Sequence, residues 1–246
     1  MDHRGDPVIL LAIETATELV GAAVADERGV RATTWVAGRR RHTEALAPAI
    51  EHVCAQSDVE IADLDVVAVD VGPGLFTGLR VGVATAKGLA QGLGVGVIPA
   101  TSLDVLAAAA LEAGTVTPVV AVVDARRAEV FSARYAPTGA DRGPVMVDPP
   151  RLWRPEDLAD QLAAGPEGLL AVGDGARRYA ELLERAPGLR VGGPTLGAPT
   201  PEALARLALA RLAAGQRPVG ATGTEPVYLR DADARINWVS RQEVPR

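Results

Sequence analysis

Val66-Val67-Ala68-Val69, then Val71-Gly72-Pro73-Gly74-Leu75-Phe76-Thr77-Gly78-Leu79-Arg80-Val81-Gly82, then Thr85-Ala86-Lys87-Gly88-Leu89-Ala90: a buried strand, a rigid turn and a helix follow one another. Gly72, Pro73 and Gly74 let the backbone of the turn take conformations closed to other residues. A strand, a glycine-rich turn and a helix N-terminus often form an anion site, because unpaired N–H groups converge there. This turn lacks the GxxxxGK[ST] pattern, and its nearest lysine, Lys87, lies well inside the helix. It also lacks GxGxxG. A tight structural turn and a phosphate cradle both remain open at this point.

The helix carries a second signal. Gly78, Gly82, Ala86 and Ala90 recur every four residues and lie along one face. Each glycine inside a helix costs about 1 kcal/mol relative to alanine. A bare stripe lets another backbone approach closely, either from within the chain or from a partner helix. Leu79, Val83, Leu89 and Leu93 add apolar bulk beside it.

Working outward, Val8–Ile13 reads as a buried strand ending in the polar turn Glu14-Thr15-Ala16-Thr17. Two further strands follow, Val20–Ala25 and Arg31–Val36, joined by the hairpin Asp26–Gly29. Thr43 caps a helix running to about Gln56, and past the quoted stretch come a strand at Val95–Ile98 and a helix at Leu103–Ala113. The pattern then restarts. Val119–Val123 is an apolar strand that again meets an acid, Asp124, and Glu129–Tyr135 alternates as a hairpin strand should. A helix at Pro155–Ala163, a strand at Leu169–Val172, a helix opened by Gly173-Asp174-Gly175 and a last helix at Glu202–Ala214 complete the series. This weak internal repeat predicts an α/β protein of two related lobes.

Composition narrows the function. Aromatics make up 3% of 246 residues, so Ala, Val and Leu must build the core. A net charge of −6 argues against gripping nucleic acid directly, since phosphate neutralisation needs clustered cations. The compact basic run Arg39-Arg40-Arg41 reads as a solvated loop. A single cysteine, Cys54, excludes an internal disulfide and fits a reducing compartment. With no signal-peptide pattern and no apolar run of about 18 residues, the expectation is a cytoplasmic protein off the membrane. His3, His42 and His52 match no ligand spacing.

The motifs Ile13-Glu14-Thr15-Ala16-Thr17-Glu18, Arg41-His42-Thr43-Glu44, Gly72–Gly82, Val123-Asp124-Ala125-Arg126 with Glu129-Val130, and Pro226-Val227-Tyr228-Leu229-Arg230 occur in that order. Together they closely resemble the TsaB family, also called YeaZ, within the actin, hexokinase and Hsp70 superfamily. The GPGxFTGxRxG block is the specific one. The resemblance implies a two-lobe actin-like ATPase (ASKHA, ribonuclease H-like) fold, each lobe a mixed sheet flanked by helices. It places an N-terminal partner-binding lobe at 1–103 and a smaller C-terminal lobe at 104–246, with helix 202–214 packing back on the first.

The implied function is that of a non-catalytic scaffold or activator. In the family, TsaB pairs with its catalytic paralogue TsaD to transfer a threonylcarbamoyl group to N6 of the adenosine beside the anticodon in tRNAs reading ANN codons. TsaE acts with them and TsaC upstream; a homodimer forms when TsaD is absent, and tRNA is met only indirectly. The expected partner interface is Gly74, Phe76, Gly78, Leu79, Gly82, Val83, Ala86, Lys87 and Ala90. TsaD-like chains carry two metal-binding histidines four residues apart, and the aligned positions here are Ser102 and Leu106. Neither a metal nor a catalytic residue is therefore expected. The nucleotide loops look degenerate at Glu14, Thr15, Asp124, Arg126, Gly173 and Gly175, since neither Glu14–Thr17 nor Asp124–Arg127 contains glycine. No cofactor is expected on this chain alone, ATP being used by the complex through its partners. The rival readings are an ATP-dependent phosphotransferase of the same superfamily and a glycoprotease-like metallopeptidase.

Overall fold

Strands buried on both faces have no polar side to show, so they read as continuous apolar runs rather than alternating ones. Two such runs, β1 (Leu10–Glu14) and β4 (Val66–Asp70), are buried at every position and lie side by side in parallel. The computed structural model describes residues 7–38, 42–137 and 143–227. Around β1 and β4 stand β2 (Leu19–Asp26), β3 (Gly29–Ala37) and β5 (Gly96–Ala100), in the order β3-β2-β1-β4-β5. The first two junctions are antiparallel and the last two parallel.

The second half repeats the plan. β6 (Val119–Arg126), β7 (Glu129–Ala136), β8 (Val145–Trp153), β9 (Leu170–Val172) and β10 (Arg190–Val191) stand in the order β8-β7-β6-β9-β10, with the same alternation of directions. Two copies of one mixed sheet, each flanked by helices, make the two-lobe actin-like ATPase fold.

Helices fill the layers between and outside the sheets. α1 (His42–Gln56) and α2 (Phe76–Leu93) cover one face of the first sheet, where Leu46, Ile50 and Val53 meet Leu11, Ile13 and Val67. Its other face is covered by α7 (Pro201–Ala213), whose Leu204 and Leu207 meet Leu10, Ala12 and Ala68. α7 starts where Thr200 accepts a hydrogen bond from the Ala203 N–H and Pro201 takes the first helical position. α3 (Ser102–Glu112) serves both lobes. Val105 and Ala108 pack on the first sheet, while Leu103, Leu106 and Ala110 pack on the second. The expected boundary at 103/104 falls inside this helix, so the chain has no clean break there. On the outer side of the second sheet, α4 (Pro155–Ala163), α5 (Asp174–Arg178) and α6 (Ala180–Leu183) close a smaller core with Leu158, Ala176 and Leu183.

Three elements depart from the sequence expectation. β8 was not foreseen, because it is an exposed edge strand interrupted by Pro149-Pro150, a pair tolerated only where ladder donors are not needed. The helix opened by Gly173-Asp174-Gly175 is divided at Tyr179, whose φ of −113° and ψ of 27° leave the helical region. α1 begins at His42 rather than after Thr43. Cys54 is buried on α1, as its apolar spacing foretells. Arg39–Arg41, His3 and the motif residues Tyr228–Arg230 lie outside the described residues.

Candidate functional site

Between the lobes, the β1–β2 turn, the first turns of α1 and α2, and the β6–β7 hairpin enclose a cavity of about 530 Å³. Glu18, His42, Thr43, Leu75, Phe76, Thr77, Gly78 and Arg126 line it. Arg126 spans the gap. Its Nη2 donates to Glu18 Oε1 across the cleft at 2.9 Å, and its Nη1 reaches Asp124 Oδ2 at 3.2 Å. Arg178 Nη1 also donates to Asp124 Oδ2, at 2.9 Å. The second loop's carboxylate, 8% exposed, is thus held by two arginines of its own lobe. The hairpin that presents Arg126 puts three successive non-glycine residues, Arg126, Arg127 and Ala128, at positive φ. Asp124 Oδ1 helps hold it by accepting from the Arg126 N–H at 2.9 Å.

The neighbouring turn is just as closed. Asp174 Oδ1 accepts from the Asp124 N–H at 2.9 Å and from the Gly175 N–H at 2.8 Å. Burial raises the Asp174 carboxyl above its usual range. Gly173 adopts φ 107°, and a Cβ there would strike the Val122 carbonyl. At Gly175 a Cβ would meet Val123 C at 2.9 Å. Both glycines are therefore explained by tight strand–helix packing. Glu14 and Thr15 are fully buried rather than lining the cavity. Thr15 Oγ1 donates to the Gly78 carbonyl at 2.9 Å, and Glu14 Oε1 accepts from the Ala16 N–H at 2.8 Å.

On α2, Gly78, Gly82, Ala86 and Ala90 are buried, along with Leu79 and Val83, and they face this chain's own first lobe. A Cβ on Gly78 would collide with the Thr15 carbonyl and lie 3.0 Å from the His42 ring; one on Gly82 would collide with Thr15 Oγ1. Gly74 likewise abuts the Ala16 carbonyl. The stripe serves close internal packing, so these four residues are not on the exposed face of the chain. Of the residues expected at the partner interface, Phe76 is exposed and Lys87 half-buried. The outward face is instead built from Thr77, Arg80, Ala84, Gly88 and Gln91. Arg80 lies 3.8 Å from the centre of the Phe76 ring. Outside the helix's own adjoining backbone, no atom of the described residues lies within 4 Å of where a Cβ on Gly88 or Gly92 would stand.

At the former ligand positions, Ser102 and Leu106 are both fully buried. Ser102 Oγ donates to Asp70 Oδ1 at 2.7 Å, and Leu106 packs in the second lobe's core. His42 is buried with Nε2 2.8 Å from the Thr17 carbonyl. Among the described residues no group of three or more His, Cys, Asp or Glu is placed to hold a metal. Sequence reasoning passed over Asp70. The available signal was its place at the end of a wholly apolar strand, the same position that Glu14 and Asp124 occupy.

Fold and cleft together define a class: an actin-like two-lobe protein whose acids at Glu14 and Asp124 are engaged by its own side chains and backbone. Similarity to known proteins narrows it. A family model described as TsaD: tRNA N6-adenosine threonylcarbamoyltransferase matches residues 36–165. The tRNA threonylcarbamoyladenosine biosynthesis protein TsaB of Haemophilus influenzae is 31% identical over 185 residues, covering 72% of this chain and 76% of that protein. The Bacillus subtilis protein of the same name is 28% identical over 235 residues, 95% of this chain and 99% of its own. The solved structure of YeaZ from Pseudomonas aeruginosa superposes with a TM-score of 0.79 at 27% identity, covering 90% of this chain and all of that one. The chain belongs to the TsaB family. Among the described residues no helix is long and apolar enough to cross a membrane.

Proposed function

We propose that this protein is a non-catalytic subunit of the machinery that places threonylcarbamoyl on tRNA adenosine, and that it works by docking a TsaD-type catalytic subunit on the outward face of α2. The observation that carries the reading is that face. Gly88 and Gly92 each cost the helix about 1 kcal/mol, yet among the described residues nothing uses the space they leave. A second protein approaching closely along Ala84, Gly88 and Gly92, with the exposed Phe76 ring as an anchor, accounts for both. In the absence of that partner the same face pairs with itself, a two-fold arrangement. The cleft supports the non-catalytic part of the reading. Asp124 is shared between Arg126 and Arg178, and Glu14 is buried, so neither carboxylate is free to position a metal-bound nucleotide.

Activation then follows from differential affinity. A scaffold changes its partner's activity only by binding one arrangement of the partner's lobes more tightly than another. TsaE joins this pair, TsaC acts upstream in the pathway, ATP is consumed through the partners, and tRNA is met indirectly in the cytoplasm. The test is sedimentation velocity with purified TsaD. Ala84→Arg and Gly88→Arg should abolish the heterodimer and lower threonylcarbamoyl transfer to tRNA while the variants unfold at or above the wild-type midpoint. Folded variants that still pair normally would place the interface elsewhere. Stoichiometric ATP binding with turnover by the isolated chain would favour the phosphotransferase reading instead.

A further inference from the structure

Two carboxyl side chains meet where water does not reach. Glu14 ends β1 and Asp70 ends β4; the preceding residues Ile13 and Val69 are register partners in the parallel ladder, which brings the two acids together. Both residues are 0% exposed. Each has one oxygen well supplied with donors. Asp70 Oδ1 accepts from the Gly72 N–H and from Ser102 Oγ, both at 2.7 Å, and Glu14 Oε1 accepts from the Ala16 N–H at 2.8 Å. The second oxygens, Glu14 Oε2 and Asp70 Oδ2, are buried and receive no hydrogen from any N–H or O–H among the described residues. Among the described residues, the partner that strand register sets beside each is the other acid. Two carboxylates cannot hydrogen-bond to each other, since neither has a hydrogen to give.

We propose that Glu14 and Asp70 share one proton in a carboxyl–carboxylate hydrogen bond, and that this bond is a pH-sensitive fastening between the β1–β2 turn and the Gly72–Gly74 turn on which α2 is seated. The pair carries a single negative charge while the proton is present. Raising the pH transfers that proton to hydroxide, giving water, and leaves two like charges in an apolar site with no compensating cation among the described residues. Burial, followed by the charge of Asp70, pushes Glu14 well above the usual carboxylate range; burial raises Asp70 to about 6. The other ionisable groups on the surrounding elements are already committed. Asp104 on α3 repels Asp70 but is held by Arg211 of α7 and by the Tyr135 hydroxyl of β7. His42 of α1 is turned to the Thr17 carbonyl, Arg80 of α2 lies on the Phe76 ring, and Arg126 of β6 takes up Glu18 and Asp124.

The sign of the effect is fixed by the direction of these shifts. Both groups bind protons more tightly folded than unfolded. Their contribution is fully present below the usual carboxylate values and is lost as pH rises through the raised ones, from about pH 4 through 6 and upward.

Glu14→Gln and Asp70→Asn test this, because each puts a permanent amide N–H where the shared proton stood. Urea unfolding midpoints of the full chain, measured between pH 5 and 9, should fall with pH in the wild type and flatten in either variant. The unfolding constant should change about tenfold less per pH unit through the titration, the weight of one proton. Infrared difference spectra in H2O and D2O give a direct reading. The wild type should show a protonated-carboxyl stretch at neutral pH that both variants lose. Should an amide variant not fold, Ser102→Ala removes a donor from Asp70 while keeping both carboxyls, and it should move that band. A wild-type spectrum with no such band overturns the proposal. So does a band that neither the amide variants nor Ser102→Ala alters, and so do parallel pH profiles.

Discussion

Gly78→Ala and Gly88→Ala make the same chemical change ten residues apart on one helix and should move stability in opposite directions. In isolation each replacement favours the helix by about 1 kcal/mol, because alanine surrenders less backbone freedom than glycine. At Gly88 nothing lies within 4 Å of the added methyl, so the gain should be realised almost in full. At Gly78 the methyl falls on the Thr15 carbonyl and lies 3.0 Å from His42 Cδ2 and Nε2. Neither neighbour is a flexible tip. The carbonyl is backbone, and the imidazole is buried with its Nε2 2.8 Å from the Thr17 carbonyl. Overpacking of this kind costs about 1–3 kcal/mol, and displacing α2 also weakens the bond from Thr15 Oγ1 to the Gly78 carbonyl, worth about 1 kcal/mol more. The balance at Gly78 is a net loss of about 1–3 kcal/mol. Urea unfolding followed by circular dichroism measures both variants, and unchanged m-values would show that the midpoints report stability. For a chain of this size each kcal/mol shifts the thermal midpoint by about 2–4 °C. Should Gly78→Ala match or exceed the wild type, the inner stripe would not be the packing surface described above.

Gly173→Ala should lose about 2 kcal/mol or more, combining a disfavoured φ of 107° with a collision against the Val122 carbonyl; thermal unfolding checks it. Leu106→Ala, at the interface of α3 with the second sheet, should cost about 2–5 kcal/mol by leaving a cavity, read from the same denaturation curves. Arg126→Ala should change stability by less than about 1 kcal/mol, because its side chain is 39% exposed and Arg178 still holds Asp124. Its effect should appear instead in small-angle scattering, as a looser mean distance between lobes once the bond to Glu18 is gone.

The parts of this molecule that were legible in the sequence are those where one residue's environment is dictated by its immediate neighbours. Wholly apolar runs such as Val119–Val123 had to be interior strands. What escaped is what depends on which side of an element faces what. A period of four along α2 identifies Gly78 and Gly82 as a face, but two different faces of that helix carry small residues. Only the position of Thr15, far earlier in the chain, decides which one is taken. The pairing of Glu14 with Asp70 was hidden for the same reason, since it rests on strand register across 56 residues. β8 was missed because edge strands escape the burial that gives interior strands their apolar signature.

α7 has one more consequence, for the order in which a ribosome releases the parts. The first sheet's five strands and α1 to α2 are all synthesised by Ala100, yet the helix that covers the sheet's second face begins only at Pro201. At typical elongation rates of about 5–20 residues per second, the intervening stretch takes roughly 5–20 s to emerge. Throughout that interval Leu10, Ala12, Ala23, Val66 and Ala68 lack their main cover. α3 is the part of that layer made first, and its Val105 and Ala108 reach only some of the surface. The nascent first lobe is thus a half-roofed sheet waiting on the second lobe to be made, a natural client for chaperones that hold apolar surface. A chain stopped short of Pro201 would stay in that state.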